Sequence, residues 1–162
     1  KIIKINVKKM EINKIYHLDC RQGLKILPSD YADITITSPP YNISKGVRGN
    51  LYENYSDSLP ETEYYLFIKE VIGELIRVTK HYVFFNLQLL SDNTQAYFNI
   101  VNDFKKNIKE VIIWHKKQFQ PAIQRTCLGS AFEFVFVFTK EKFALNRTFE
   151  YAFFNNWLYL TY

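Results

Sequence analysis

The stretch ADITITSPPYN, residues 32–42, decides the fold of this chain. Residues 32–38 predict a strand, because β-branched Ile and Thr side chains follow one another from Ile34 to Thr37. Two prolines come next, and each fixes φ and lacks an N–H donor. The strand should therefore end in a stiff, extended turn that presents the ring of Tyr41. In an open α/β sheet, ligands bind beyond the carboxyl ends of the strands, where this turn would lie.

The flanking sequence alternates between the spacing of strands and the spacing of helices. Strands are predicted at residues 14–19, 32–38, 81–87, 110–117 and 131–140, and helices at residues 21–27, 61–80 and 92–107. This alternation predicts an α/β fold built on a parallel sheet. The last two strands have no helix between them, so we expect an antiparallel hairpin at one edge of the sheet.

Two of these segments carry expectations about burial. The helix at residues 61–80 has acidic residues in its first turn, basic residues in its last turn and a broad apolar stripe that includes Leu66 and Ile72. It should therefore lie on the sheet. The strand at residues 81–87 should be buried on both faces. Residues 1–13 are predicted to be an N-terminal extension, and residues 146–162 an aromatic C-terminal tail.

Length, charge and cysteine content limit the class of protein. The 162 residues suffice for one domain with a hydrophobic core. A formal net charge of +5 suits a polyanion such as nucleic acid, and a mildly basic solvated surface is the alternative. Cys20 and Cys127 match no metal or redox spacing, so no metal site is expected. No segment reads as a membrane span or a signal peptide, which favours a cytoplasmic protein.

The proline turn suggests a specific chemistry. The Ser38 side chain and the Pro39 carbonyl can accept hydrogen bonds from an amino group, and Tyr41 offers a flat face to a planar base. This arrangement would aim the lone pair of the nitrogen at an electrophile without any titrating group. Proline turns with a surface tyrosine are common, so these residues alone favour that plainer alternative.

The sequence TSPPYN, residues 37–42, is similar to the catalytic motif of the DNA amino-methyltransferases, which methylate cytosine N4 or adenine N6 with S-adenosylmethionine. The lead-in at residues 15–36 and the segments EYYLFIKEVIGELIRVTK, YVFFN and EVIIWHKK…AFEFVFVFTK also resemble this family. The resemblance runs from about Ile15 to Lys140. It implies that residues 14–145 are the catalytic, target-base half of a partial Rossmann-like methyltransferase sheet, of the kind found in restriction-modification systems.

The resemblance also implies roles for single residues. Ser38, Pro39, Pro40 and Tyr41 would bind and orient the amino group of a base that is flipped out of the duplex. Asp19 would lie near the adenine end of the methyl donor, with Ser38 also facing the donor. An N-cap for the helix that follows is the alternative for Asp19. A Ser-initiated motif leans towards cytosine N4 over adenine N6.

Several polar residues are candidates for DNA binding. Asn42 would extend the pocket for the target base. The loop after the motif and the polar loop between the last two strands would contact phosphates through Lys45, Arg48, Lys116, Lys117 and Arg125. An ordinary solvated hairpin loop remains the alternative for the last three.

One family motif has no counterpart in this sequence. Members carry a Phe-x-Gly-x-Gly turn that cradles the methionine part of the donor, and the five glycines are never spaced that way. The order of segments is that of the permuted subclass, in which this turn comes last. We therefore expect a fragment, a truncated chain or half of a split enzyme, completed by a second polypeptide or another copy. A methyl donor that contacts only one side of its binding pocket should bind weakly, so little activity is expected of this chain alone. A catalytically inactive DNA-binding remnant is the alternative.

Overall fold

A single mixed sheet with helices on one side forms the part of the chain that the structure describes, a computed structural model of residues 13–43, 57–116, 131–140 and 157–159. The helices are α1 (Cys20–Ile26), α2 (Glu61–Val78) and α3 (Thr94–Asp103), with a 3-10 turn at Ser91–Asn93. The strands are β1 (Ala32–Thr37), β2 (Thr79–Leu87), β3 (Ile108–His115), β4 (Phe132–Phe138) and β5 (Trp157–Tyr159).

The strands lie in the order β1-β2-β4-β3-β5. The pairs β1–β2 and β3–β5 are parallel, and β4 runs antiparallel to both of its neighbours, β2 and β3. The α/β class and the antiparallel hairpin are therefore confirmed. The hairpin is not the outermost element, however, because β5 from the segment predicted as a tail pairs beyond β3.

Helix α2 carries the core on one face of the sheet. Its amino terminus has Glu61 and Glu63 and its last turn has Arg77, so charges at both ends complement the helix dipole. The helix buries a stripe against alternate residues of β2 and β4. The buried core comprises Tyr64, Ile68, Val71, Ile72, Leu75, Val83, Phe85, Leu87, Ala96, Tyr97, Ile100, Phe136 and Phe138. This packing places the amino-terminal part of α2 near the carboxyl end of β1, where Tyr64 contacts Pro40.

Two expectations about burial are wrong. Leu66, which we placed in the buried stripe of α2, is 56% exposed. From Val83 to Leu87, strand β2 is fully buried on one face only, because its residues alternate and Phe84 and Asn86 on the other face are half-buried. The helices pack on a single face of the sheet, so the second face of β2 receives no helix from the described residues.

The strand predicted at residues 14–19 is absent, although these residues are described. Ile15 is fully exposed there, so its side chain finds no packing partner. A strand needs a neighbouring backbone to satisfy its N–H and C=O groups, and these residues pair with none of the described strands. Helix α3 is also shorter than the predicted residues 92–107, because it ends at Asp103 and a turn carries the chain into β3.

Candidate active site

The proline turn lies where the sequence placed it, at the carboxyl end of β1. Ser38 is exposed, and Pro39, Pro40 and Tyr41 are half-buried. The Tyr64 hydroxyl of α2 donates to the Pro40 carbonyl at 2.9 Å, so this carbonyl already has a partner. Tyr64 therefore holds the turn against α2, and the Pro39 carbonyl accepts no hydrogen bond from the described residues.

Three polar side chains surround the Tyr41 hydroxyl, and together with Tyr41 they form what we call the hydroxyl cluster: Ser38, Tyr41, Asn86 and Glu133. The Tyr41 oxygen lies 2.9 Å from Ser38 Oγ and 3.3 Å from Glu133 Oε2, and it also contacts Asn86 Oδ1. Ser38 Oγ lies 3.3 Å from the same Asn86 oxygen. Three strands therefore contribute to one site, since β1 leads into the turn, β2 carries Asn86 and β4 carries Glu133.

Glu133 is a buried carboxylate, with only 6% of the residue exposed. Lys116 donates to its other carboxylate oxygen, and the Lys116 ammonium also lies 5.7 Å from the centre of the Trp114 ring. A buried charge is costly unless it is paired, so this ion pair lets the carboxylate stay beside the turn. We expected Lys116 to contact phosphate. The structure gives its ammonium a carboxylate partner, and the phosphate contact stays a prediction.

Asn42 joins the end of the proline turn to the segment that precedes α2. It is 3% exposed and has a φ of 61°, in the left-handed region that Asn tolerates. Its backbone N–H donates to Asp57 Oδ1 at 2.8 Å. Its side-chain amide donates to the Leu59 carbonyl at 3.0 Å and accepts from the Leu59 N–H at 2.6 Å. These contacts show a structural role that the sequence did not predict. A contact of Asn42 with the target base stays a prediction.

Replacing Asn42 with alanine is expected to cost about 3 kcal/mol of unfolding free energy. The change leaves buried backbone groups without their partner and puts a Cβ with no compensating hydrogen bond in the left-handed region. Asn42→Gly removes the same hydrogen bonds but relieves the backbone strain, so it should be about 1 kcal/mol more stable than Asn42→Ala. Urea unfolding followed by circular dichroism measures both. Equal urea midpoints for the two variants would show that the left-handed backbone conformation of residue 42 does not affect the stability.

Asp19 caps helix α1, as one of the two sequence hypotheses proposed. Its carboxylate accepts from the Arg21 backbone N–H at 2.8 Å and from the Arg21 guanidinium. The guanidinium lies 5.5 Å from the centre of the Phe67 ring on α2. Phe67 follows Tyr64 by about one helical turn, and Tyr64 donates to the Pro40 carbonyl of the proline turn. The start of α1 therefore lies at the same end of the sheet as the proline turn.

Two polar side chains at the carboxyl end of the sheet, Asp19 and Ser38, are the candidates for contact with a methyl donor. The Asp19 side chain is 37% exposed, so it keeps a solvent-facing acceptor for the polar groups of a nucleoside. Ser38 is exposed at the same end of the sheet. Both side chains can accept a hydrogen bond, and their contact with the donor stays a prediction. A backbone cradle for its methionine part is not found among the described glycines, Gly23 and Gly73, which lie inside helices.

The stability of α1 should depend on pH through Asp19. Hydrogen bonds from Arg21 lower the pKa of the Asp19 carboxyl from 3.8 to about 2. The ionised cap therefore stabilises the fold above pH 3.8, and this contribution is lost as the pH falls towards 2. Asp19→Asn keeps the capping oxygen without the charge. We expect it to be slightly less stable at pH 7, and the gap should close near pH 2 in urea unfolding curves. A gap that persists at pH 2 would contradict this origin.

The remaining predicted contacts lie outside the described residues: Lys45, Arg48, Lys117 and Arg125. Sequence reasoning missed three residues that contact Tyr41: Asn86, Glu133 and Asn93. The Asn93 side-chain amide donates to the Tyr41 carbonyl at 2.9 Å. Asn86 and Glu133 did leave a signal, since each is a lone polar residue inside an aromatic strand, in FFNL and AFEF. An isolated polar residue in a buried strand usually has a specific partner.

Metal sites and membrane-spanning helices are both absent from the residues that the structure describes. No group of His, Cys, Asp and Glu side chains there is placed to hold a metal ion. No described helix has the length and apolar character needed to cross a membrane.

Comparison with known sequences places most of the chain in one family. The family described as DNA methylase matches residues 32–159. The chain is also similar to the type II methyltransferase M.BglII of Bacillus subtilis, with 38% identity over 72 residues. That match covers 44% of this chain and 18% of M.BglII.

Comparison with solved structures gives the same fold. The PvuII DNA methyltransferase, which is cytosine-N4-specific, superposes with a TM-score of 0.58 at 14% identity. The superposition covers 78% of this chain and 49% of the PvuII chain. The complex of M1.HpyAVI with SAM gives a TM-score of 0.44 at 18% identity, covering 84% of this chain and 60% of that one. The chain thus spans about half the length of the PvuII structure.

Proposed function

We propose that this chain, which belongs to the DNA methylase family, carries the base-binding half of an enzyme that methylates an exocyclic amino group in DNA. The hydroxyl cluster at the proline turn is the observation that carries this proposal. It includes the exposed Ser38 and the ring of Tyr41, and it lies next to the Pro39 carbonyl at the carboxyl end of β1, where α/β folds bind their ligands. We place the enzyme in the cytoplasm, as part of a restriction-modification system.

The turn can hold an amino group by its two protons. One N–H would donate to Ser38 Oγ and the other to the Pro39 carbonyl, which is left unused by the described residues. The two hydrogen bonds would fix the orientation of the amino group. The nitrogen lone pair is then kept out of the plane of the base. Orientation of the reacting atom is a recognised source of rate enhancement, and here it needs no general base at Ser38.

Tyr41 provides the stacking surface for the base. Its ring is half-buried, and both ends of the residue are fixed: the carbonyl by Asn93 and the hydroxyl by Asn86. A fixed ring loses little conformational entropy when a base stacks on it. The target base has to leave the duplex to reach this position, as in other enzymes that modify bases. Cytosine is the proposed base, because the motif begins with serine.

DNA is the proposed macromolecular partner. The net charge of +5 favours a polyanion, and the basic residues Lys45, Arg48, Lys116, Lys117 and Arg125 are the proposed phosphate contacts. S-adenosylmethionine is the donor that the motif implies, and it supplies an electrophilic methyl group when bound. Asp19 and Ser38 are the proposed contacts with it from this chain.

A further polypeptide segment is proposed to complete the sheet and the donor site. Strand β1 has one neighbour among the described strands, and its Ile34 and Ile36 side chains are 52% and 81% exposed. Exposed isoleucines on an edge strand invite pairing with another strand. The PvuII structure contains about as much chain again as the part that matches. We propose that this edge receives a segment with the glycine turn, from the same gene or from a separate one.

A methyl-transfer assay tests the proposal. The full chain is incubated with mixed-sequence DNA and labelled S-adenosylmethionine, alone and with a polypeptide that carries the glycine turn. We expect label in N4-methylcytosine after DNA hydrolysis, mainly in the combined sample, and loss of that label in Ser38→Ala. DNA binding without transfer in either sample would favour the catalytically inactive alternative. A chain that neither binds DNA nor transfers methyl would overturn the proposed function.

A further inference from the structure

We propose that Glu133 is a positioning residue that sets the hydrogen-bond directions of the hydroxyl cluster. In this arrangement the Ser38 hydroxyl donates its proton inwards and presents its lone pairs to the amino group. This role of Glu133 depends on the proposed function, whereas the evidence for it consists of contacts within the chain. Neither the motif nor the proline turn contains Glu133, which follows the turn by more than ninety positions.

The two hydroxyls of the cluster, Ser38 and Tyr41, have one proton each. The Tyr41 hydroxyl faces two acceptors, Asn86 Oδ1 and Glu133 Oε2. The charged carboxylate is the stronger acceptor, so in this arrangement the phenol donates to Glu133 and leaves the Asn86 oxygen to Ser38. The Asn86 side-chain NH2 donates to the Phe134 carbonyl at 3.1 Å, which turns the Asn86 oxygen towards the two hydroxyls. Ser38 therefore faces an amide oxygen at 3.3 Å and a phenol oxygen at 2.9 Å, and it can donate to either.

The outward direction of the Ser38 lone pairs follows from this count. A hydroxyl has one proton and two lone pairs. If the proton of Ser38 is used inside the cluster, its oxygen faces solvent as an acceptor, which is what an incoming N–H needs. If the side chain at position 133 donated a hydrogen bond, the Tyr41 oxygen would accept it. The phenol proton of Tyr41 would then compete with the hydroxyl proton of Ser38 for the Asn86 oxygen. The site would then lose the uniform direction of its hydrogen bonds.

Lys116 allows a carboxylate to take this position. The side chain of Glu133 is only 8% exposed, and the Lys116 ammonium contacts its second oxygen. The ammonium balances the buried charge and leaves Oε2 to Tyr41. The pair therefore combines a full negative charge with a fixed position, which an exposed carboxylate would not provide.

The same chain offers a matched control. On helices α2 and α3, the Tyr65 hydroxyl donates to Asp103 Oδ2 at 2.6 Å, and Lys69 contacts the same oxygen at 2.8 Å. This group also consists of a tyrosine, a carboxylate and a lysine. It is exposed and has no part in the proposed site. Asp103→Asn therefore reports the effect of neutralising a carboxylate that only joins two helices.

The first measurement is methyl transfer by the full chain combined with the polypeptide that carries the glycine turn. Glu133→Gln keeps the size of the side chain and replaces an acceptor with an amide that can donate. We expect kcat to fall at least tenfold with little change in KM for DNA, and Asp103→Asn to stay within twofold of the unmodified chain. Tyr41→Phe should abolish most of the further effect of Glu133→Gln, because the carboxylate acts through the phenol. An active complex in which Glu133→Gln keeps its full kcat would overturn the inference.

The second measurement does not depend on activity. The urea unfolding equilibrium of the full chain is compared for Tyr41→Phe, Glu133→Gln and the double variant. We expect a coupling of about fivefold in the unfolding constant, because the two residues share one hydrogen bond. Additive effects would mean that the contact carries no energy, and the inference would fail whatever the assay showed. A coupled pair in a chain that transfers no methyl group would instead point to a failure of the proposed function.

Discussion

Tyr41→Ala is expected to lower methyl transfer about 100-fold while leaving the fold intact. Stacking of a base on an aromatic ring contributes roughly 1–3 kcal/mol, and each 1.4 kcal/mol corresponds to about tenfold in rate or affinity. The turn also loses the hydroxyl that Ser38, Asn86 and Glu133 share. Both losses act on the orientation of the target base. The effect on stability should be smaller, because Tyr41 lies at the margin of the core and is half-buried.

The two contributions of Tyr41 can be separated. Tyr41→Phe keeps the ring and removes the hydroxyl, so it should retain more activity than Tyr41→Ala. Tyr31→Ala is the matched control, because Tyr31 is 43% exposed and precedes β1 at the end of the strand opposite the turn. We expect this control to stay within twofold of the unmodified chain. The measurement is methyl transfer by the combined polypeptides, with circular dichroism to verify folding. Full activity of Tyr41→Ala would show that the ring has no part in binding the base.

The part of the site that sequence could predict is the part that local chemistry dictates. β-Branched residues favour an extended backbone, and two prolines end it in a fixed turn. Ser38 and Tyr41 therefore lie at the carboxyl end of β1 for reasons contained in about ten residues. Helix α2 was also predictable, since its apolar stripe and terminal charges lie within a single segment.

The part that sequence could not predict depends on strand register. Glu133 meets Tyr41 because β4 pairs antiparallel with β2, with Leu87 opposite Phe134 and Asn86 opposite Val135. A shift of one residue in that register would turn Glu133 to the other face of the sheet. No local pattern reports how two distant strands align. The polar residue in each aromatic strand showed only that a partner was needed.

The missing strand at residues 14–19 has a similar cause. Alternating apolar residues predict a strand only if a neighbouring backbone is available to pair with it. Strand β1 is an edge of the described sheet, and Ile15 remains fully exposed. Pairing is a property of the assembled sheet, so sequence periodicity reports that residues 14–19 are suited to a strand and not that they form one.

Phe85→Ala is expected to destabilise the fold by about 3–5 kcal/mol, the usual cost of truncating a fully buried phenylalanine. Phe85 is 0% exposed and lies on β2 between Thr37 of β1 and Phe136 of β4. Its ring is 6.2 Å from that of Phe138. A domain of this size is typically stable by only about 5–15 kcal/mol, so this variant should be close to unfolding at room temperature. Phe98→Ala is the control, because Phe98 is 55% exposed and should cost less than 1 kcal/mol.

Phe85 also tests whether the fold and the site are separable. It precedes Asn86 in the chain, and the two side chains point to opposite faces of the sheet, one into the core and one into the hydroxyl cluster. Phe85→Leu retains most of the apolar volume and should cost less than Phe85→Ala while keeping Asn86 in place. Urea midpoints should fall in the order unmodified, Phe85→Leu, Phe85→Ala, whereas Tyr41→Ala should lose activity with a smaller loss of stability. If Phe85→Ala unfolded at the same urea concentration as Phe98→Ala, the packing of α2 on β2 would not be what holds the site together.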